Sequence, residues 1–207
     1  ISLILLTSLM VMAGVMGNSV ASAGESDGSK IRPKEEYPES VVKLVEEAHE
    51  GPISDEGVDL LVTHFPELAA VTPDYRPEMQ QRSLETLPVS GNARATGSGC
   101  SGATGTHYST TLLGLPFYNM TTQVNFCWSG SNVYSVTNLR TSFSNISSQA
   151  RIDGEHSRST NGGDPGSARH SYRVTNIIPV WGEVSVKYPY NHFYLWAGGS
   201  ASHFSGE

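Results

Sequence analysis

Residues 119–143 read NMTTQVNFCWSGSNVYSVTNLRTSF, and this stretch decides the fold class. Met120, Thr122, Val124, Phe126 and Trp128 alternate with Asn119, Thr121, Gln123, Asn125 and Cys127. A period of two with the apolar set on one side is a half-buried β-strand. Ser129-Gly130-Ser131-Asn132 supplies a turn, because Gly and Asn tolerate positive φ. Val133-Tyr134-Ser135-Val136 begins the return arm. A symmetric turn sets Trp128 opposite Val133, Val124 opposite Thr137 and Thr122 opposite Leu139. The alternation then slips, since Val136 and Leu139 cannot share a face without a bulge or an end to the strand. The stretch is therefore a β-hairpin of an antiparallel domain.

Outward from it, the second half of the chain continues in the same style. Candidate strands are 106–113, 119–128, 133–143, 147–153, 168–176, 180–188 and 193–197, with a short one at 202–204. Residues 156–167, HSRSTNGGDPGS, read as a polar Gly-rich loop. Seven or so short strands with turn signals between them predict a mainly β domain, an antiparallel β-sandwich or small barrel, over 106–207.

The first half differs in kind. Residues 1–20 are almost unbroken in apolar and small residues, and Ala21-Ser22-Ala23 follows. That is the apolar core and cleavage site of a secretory signal peptide over 1–23. The predicted location is secreted, with no stable transmembrane anchor after processing. Residues 24–92 hold 15 acids against 6 bases, and 93–207 hold 5 against 7. The acidic part carries helical patterns at 40–50 and 54–65, with Ser54 as N-cap, and a weaker one at 77–87. It reads as a short α-helical pro- or spacer segment. Residues 93–105 have the composition of a Gly/Ser linker, and Ala93-Arg94-Ala95 within it is a candidate second processing site. The β half shows no Lys/Arg cluster, so it lacks the charge footprint of a nucleic-acid binder.

The chain has two cysteines, Cys100 and Cys127. In an exported chain an even count favours a disulfide, here one tying the segment before the first strand to the central hairpin. For a loop of this size the chain-entropy model gives roughly 3–4 kcal/mol. The β half has five histidines, His107, His156, His170, His192 and His203, at no metal-ligand spacing, and they read as surface residues. The run Gly97-Ser98-Gly99-Cys100-Ser101-Gly102 resembles a protease serine loop only superficially and is taken as linker. No catalytic, metal or cofactor residue is assigned. Candidate ligand-binding residues are Tyr188, Tyr190, His192, Tyr194 and Trp196, rings with polar edges suited to stacking on sugars or sitting at membrane interfaces. Tyr188-Pro189-Tyr190-Asn191-His192 reads as a hairpin tip that exposes Tyr190 and His192.

Val124-Asn125-Phe126-Cys127-Trp128-x-Gly130, followed by a Val/Tyr-rich return strand, resembles a pattern in small secreted actinobacterial-type β-rich proteins of unassigned function. The likeness spans Cys100 to the C-terminal end. It implies secretion and a β fold, and it brings no functional residues. The resulting expectation is a secreted, non-enzymatic β-sandwich that binds an extracellular or cell-surface ligand such as a cell-wall polysaccharide, with a bacteriocin- or toxin-like role as a sub-case. The alternatives are a secreted hydrolase with a masking pro-segment and a structural cell-envelope protein.

Overall fold

The computed structural model describes residues 30–77, 79 and 97–207. The signal peptide, the candidate cut at Ala93-Arg94-Ala95 and nearly all of the weak helix at 77–87 lie outside the described residues.

The chain opens with a short 3-10 turn, Lys34–Glu36, and helices α1 (Glu39–Glu50), α2 (Asp55–His64) and α3 (Pro66–Ala69). Ser54 caps α2 by accepting from the Gly57 N–H, and Asp55 and Glu56 sit at its positive end. Eight strands follow: β1 (Ser98–Thr110), β2 (Pro116–Ser129), β3 (Asn132–Ser144), β4 (Ala150–Asn161), β5 (Gly166–Ile178), β6 (Gly182–Lys187), β7 (Tyr190–Leu195) and β8 (Ala201–Gly206). They form two antiparallel sheets, β1-β2-β3 and β4-β5-β7-β8, with β6 also on β5. The architecture is a β-sandwich preceded by short helices, as the alternation predicted.

The quoted hairpin forms with Trp128 opposite Val133. The slip is resolved earlier than symmetry suggested: Asn125, not Val124, faces Thr137, and Thr122 faces Thr141. Shifts fall between Gln123 and Asn125 and between Cys127 and Trp128. Asn138, with φ 52°, lies where β3 departs from regular pairing.

Ser98–Gly105 is not linker but the first part of β1. Two of its glycines take up positions where a side chain would collide. Gly99 pairs with Trp128, and a Cβ there would come within 2.8 Å of the indole. A Cβ on Gly105 would lie 2.4 Å from the His203 ring. These glycines mark close approach inside a strand rather than flexibility. Cys100 faces Cys127 directly across β1 and β2, and the two are disulfide-bonded. Residues 156–161 likewise belong to β4, leaving only a short turn of the predicted loop.

Three apolar clusters hold the molecule together. One lies between the sheets around Phe126, Trp128, Val133 and Phe193. A second lies between them around Phe117, Met120, Ala150 and Val174. The third joins the helices to the sandwich: Val41, Val45, Leu61 and Leu68 pack with Leu112 and Ile178, and Trp181 and Val184 lie against them. The Trp181 indole N–H donates to the Arg32 carbonyl, and Lys187 Nζ to the Glu50 carbonyl. The acidic segment is thus seated on the end of the second sheet, with its apolar stripes shared rather than self-contained. Short helices of this length depend on such packing.

Leu61 is fully buried in that shared cluster. Leu61→Ala is expected to cost about 2–5 kcal/mol in urea unfolding and to leave one cooperative transition. Two separate transitions would show that helices and sandwich unfold independently.

Candidate functional site

Residues directly opposite in an antiparallel pair project to the same side, so the strand register assigns the faces. On the second sheet it lines up Ser157, Ser171, Tyr190 and Gly206 in one row. The next row is Ser159, Arg169, His192 and Phe204, and the third is Asn161, Ser167, Tyr194 and Ser202. These rows form the outer face, because the intervening residues Ala168, His170, Asn191, Phe193 and His203 are buried between the sheets. Its β4–β5 half is small and polar. Its β7–β8 half is aromatic.

The rings are in mutual contact. His192 and Tyr194 have centroids 4.7 Å apart, Tyr194 and Trp196 6.3 Å, and Tyr194 and Phe204 5.7 Å edge-on. The Arg169 guanidinium lies 4.1 Å from the Tyr190 ring centroid. Tyr190 also covers Gly206, where a Cβ would stand 3.2 Å from its hydroxyl. Tyr194 is 37% and Phe204 45% exposed. Burial, and then the neighbouring Arg169 charge, pushes the His192 imidazole down, favouring the neutral ring that both donates and accepts.

Four of the five predicted site residues, Tyr190, His192, Tyr194 and Trp196, therefore share this face by simple alternation. Tyr188 stands apart: it lies between β6 and β7, 44% exposed, with its ring 4.3 Å from that of His156. The expected hairpin tip is absent, because β6 and β7 both pair with the same edge of β5, Lys187 opposite Val174 and Tyr190 opposite Ser171. Pro189 has no N–H to give a ladder, and the strand is interrupted there instead of reversed. Asn191, inside the supposed tip, is fully buried. Arg169 and Phe204 join the site unpredicted. Alternation from Tyr194 carried across to β8 was the signal for Phe204; Arg169 needed the register.

A second polar arrangement runs through the interior. His203 Nε2–H donates to Asn191 Oδ1 at 2.7 Å. The Asn191 amide donates to the Met120 carbonyl at 2.9 Å and to Thr122 Oγ1 at 2.8 Å. Thr122 Oγ1 shares a hydrogen bond with Thr141 Oγ1 at 2.7 Å, and Thr141 Oγ1 one with His170 Nδ1 at 2.7 Å. His170 Nε2–H donates to Glu155, 2.9 Å away, which also pairs with Arg158. His107, His170 and His203 are buried, so three of the five histidines are interior rather than surface residues. The hydroxyl–imidazole–carboxylate order of Thr141, His170 and Glu155 has the connectivity of a nucleophilic triad. However, the His170 ring is wholly buried and the Thr141 hydroxyl is engaged on both sides, so the chain satisfies polar groups and presents no free nucleophile. Nearby, Glu207 accepts from His107 and Tyr118 beside a cavity of about 10 Å³, the room of one water. Among the described residues no group of three His, Cys, Asp or Glu is placed to hold a metal.

No family model matches the chain, and no curated protein does. Among solved structures, a hypothetical protein of Listeria monocytogenes EGD-e is similar over 59% of this chain and 76% of its own, at 15% identity and a TM-score of 0.37. At that level it contributes nothing to the functional argument.

Burial pushes the imidazoles of His203 and His49 down to about 4 from an ordinary 6.5; His107 adds repulsion at the first and Lys187 at the second. Between pH 6.5 and 4 the unfolded chain takes up protons that the folded chain refuses, so stability is lost as pH falls through that window. Each group is expected to contribute up to about 3 kcal/mol of that loss by pH 4. Urea titrations from pH 7 to pH 4 check this; a His203→Gln variant should show a shallower decline than the native chain.

Proposed function

We propose that the protein is an exported, non-enzymatic β-sandwich that binds a cell-wall or other extracellular polysaccharide on the outer face of its second sheet. The observation that carries this reading is the contrast between the two outer faces. The outer face of the first sheet is mostly polar, with Thr104, Thr106, Thr121, Gln123, Asn125, Thr137, Arg140 and Ser142, and Tyr108 stands on it as a separate ring opposite Asn119. The outer face of the second sheet needs nothing more, yet it carries Tyr190, His192, Tyr194, Trp196 and Phe204. A contiguous exposed patch of rings with polar rims marks an interaction surface.

A sugar polymer fits the chemistry. Successive outward residues on a strand are about 6–7 Å apart, so the rings at 190, 192, 194 and 196 follow one another along the strand at a spacing near that of a chain of sugar rings. Sugars offer apolar faces to the rings and hydroxyls to Ser157, Ser159, Asn161 and Ser167 alongside. The aromatic side chains lose little rotamer entropy on binding. The disulfide and the apolar run ending in Ala21-Ser22-Ala23 support export.

Retention on cell-wall polysaccharide and on lipid vesicles is the test, comparing the native protein with a Tyr194→Ala, Phe204→Ala variant of unchanged circular dichroism. The expected result is polysaccharide retention weakened about tenfold or more in the variant, since each lost ring contact is worth roughly 1 kcal/mol. Retention on vesicles alone would make the face a membrane-binding surface. Concentration-dependent dimerisation lost in the variant would make it a contact between copies.

A further inference from the structure

Arg169 is the central charged residue of the aromatic face, and it differs from the other arginines of its sheet. Arg151 pairs with Asp153 and Glu183, Arg158 with Glu155, and Arg173 with Asp153. Arg169 has no carboxylate partner among the described residues, and its neighbour is the Tyr190 ring. The three rows around it, from Ser157 to Ser202, contain no acid. Arg140 is also without a carboxylate, but it stands among Thr and Gln on the opposite face, with no ring in its row.

Stacking has a geometric consequence. A guanidinium lying on a ring uses its π face and keeps its N–H donors in plane, directed outward. That fork matches a carboxylate or a phosphate, and charge-assisted bonds of this kind are roughly twice as strong as neutral ones. The same stacking holds the fork in place before a ligand arrives, which reduces the ordering cost of binding. On the next row, Tyr194 and Phe204 offer their exposed rings beside it. A cation with an unused fork beside apolar rings suits a sugar that carries an anionic group.

We infer that the ligand of this face is an acidic glycan, a sugar polymer bearing carboxylate or phosphate groups, with the anion held by Arg169 and the sugar rings lying on Tyr194 and Phe204. The inference rests on the polysaccharide reading above and narrows it.

The experiment measures binding of the full chain to polygalacturonate, to the same polymer with its carboxyls reduced to alcohols, and to a phosphomannan. The native protein, Arg169→Gln and Tyr194→Ala are compared. The first two polymers share a backbone, so their difference isolates the charge. The native protein is expected to bind an acidic polymer about tenfold more tightly than the reduced one, with a preference that shrinks as salt rises. Arg169→Gln, at an exposed position, should remove the preference, so that the variant binds the acidic and the reduced polymer equally. Preference for the phosphomannan alone identifies phosphate as the anion, and preference for polygalacturonate identifies carboxylate. Equal binding to acidic and reduced polymers, with Tyr194→Ala weakening both, overturns the acidic-glycan inference and leaves the face as a neutral-glycan site. A preference that survives Arg169→Gln overturns it too. Retention on none of the three polymers overturns both readings.

Discussion

The rest of the structure depends on the hydrogen-bonded layer that crosses the interior of the sandwich. On β2 the inward residues run Met120, Thr122, Val124; on β3 they run Leu139, Thr141, Phe143; on β5 they run Ala168, His170, Tyr172. In each triplet the polar middle member separates one apolar cluster from the other. Thr122, His170, Asn191 and His203 are buried and Thr141 is half-buried, and each has a partner from another strand, with Asn191 of β7 and His203 of β8 closing the series. A buried hydroxyl or imidazole left unpaired costs about 1–3 kcal/mol. A slip of one strand by two residues would keep every apolar residue inward and still break several of these bonds at once. Apolar packing tolerates such a shift; the polar layer does not.

Fixing the inner face also fixes the outer one. Asn191 must point inward to meet Met120 and Thr122, and Phe193 follows it into the core. The residues between and beyond them, Tyr190, His192, Tyr194 and Trp196, are then driven to the opposite side. The same logic holds on β8, where an inward His203 turns Phe204 outward, and on β5, where an inward Ala168 and His170 leave Arg169 outside. The aromatic face is therefore as precisely placed as the core it backs, although its rings make few core contacts of their own. A surface held by register rather than by loops is rigid before it meets a ligand.

The strand content, the two helices and the disulfide were legible because each rests on a local pattern: alternation, a cap with helical spacing, and an even cysteine count. That Tyr190, His192, Tyr194 and Trp196 share one face was legible for the same reason, since they form an alternating series. What was not legible depended on partners distant in sequence. Gly99 and Gly105 look like linker residues until Trp128 and His203 are laid across them. Pro189 looks like a turn residue until β5 is seen to hold both β6 and β7 on one edge. His107, His170 and His203 look solvated because a histidine's burial depends on whether a Thr, an Asn or a Glu from another strand meets it. Arg169 enters the site only through pairing with His192, 23 positions later.

The two halves of the chain differ in charge, and their placement bears on the potential at the aromatic face. Strand β5 is the common axis. Its C-terminal end, at Ile178, meets the helical cluster, and its N-terminal half, Gly166–Ser171, carries the rows of the aromatic face. From Arg169 to Ile178 is nine residues of extended chain, about 30 Å at the usual strand rise. The Debye length at physiological ionic strength is about 8 Å. The acids of α1 and α2 are therefore screened from Arg169 by several Debye lengths, and the overall negative charge does not describe the potential at the rings. What governs that potential is local: Asp153, Glu155 and Glu183 are each engaged by Arg151, Arg158 or Arg173, and Arg169 has no carboxylate partner among the described residues. An acidic chain can in this way present a small cationic, aromatic platform, provided the acids of its strands are engaged by other arginines and one arginine is left beside the rings.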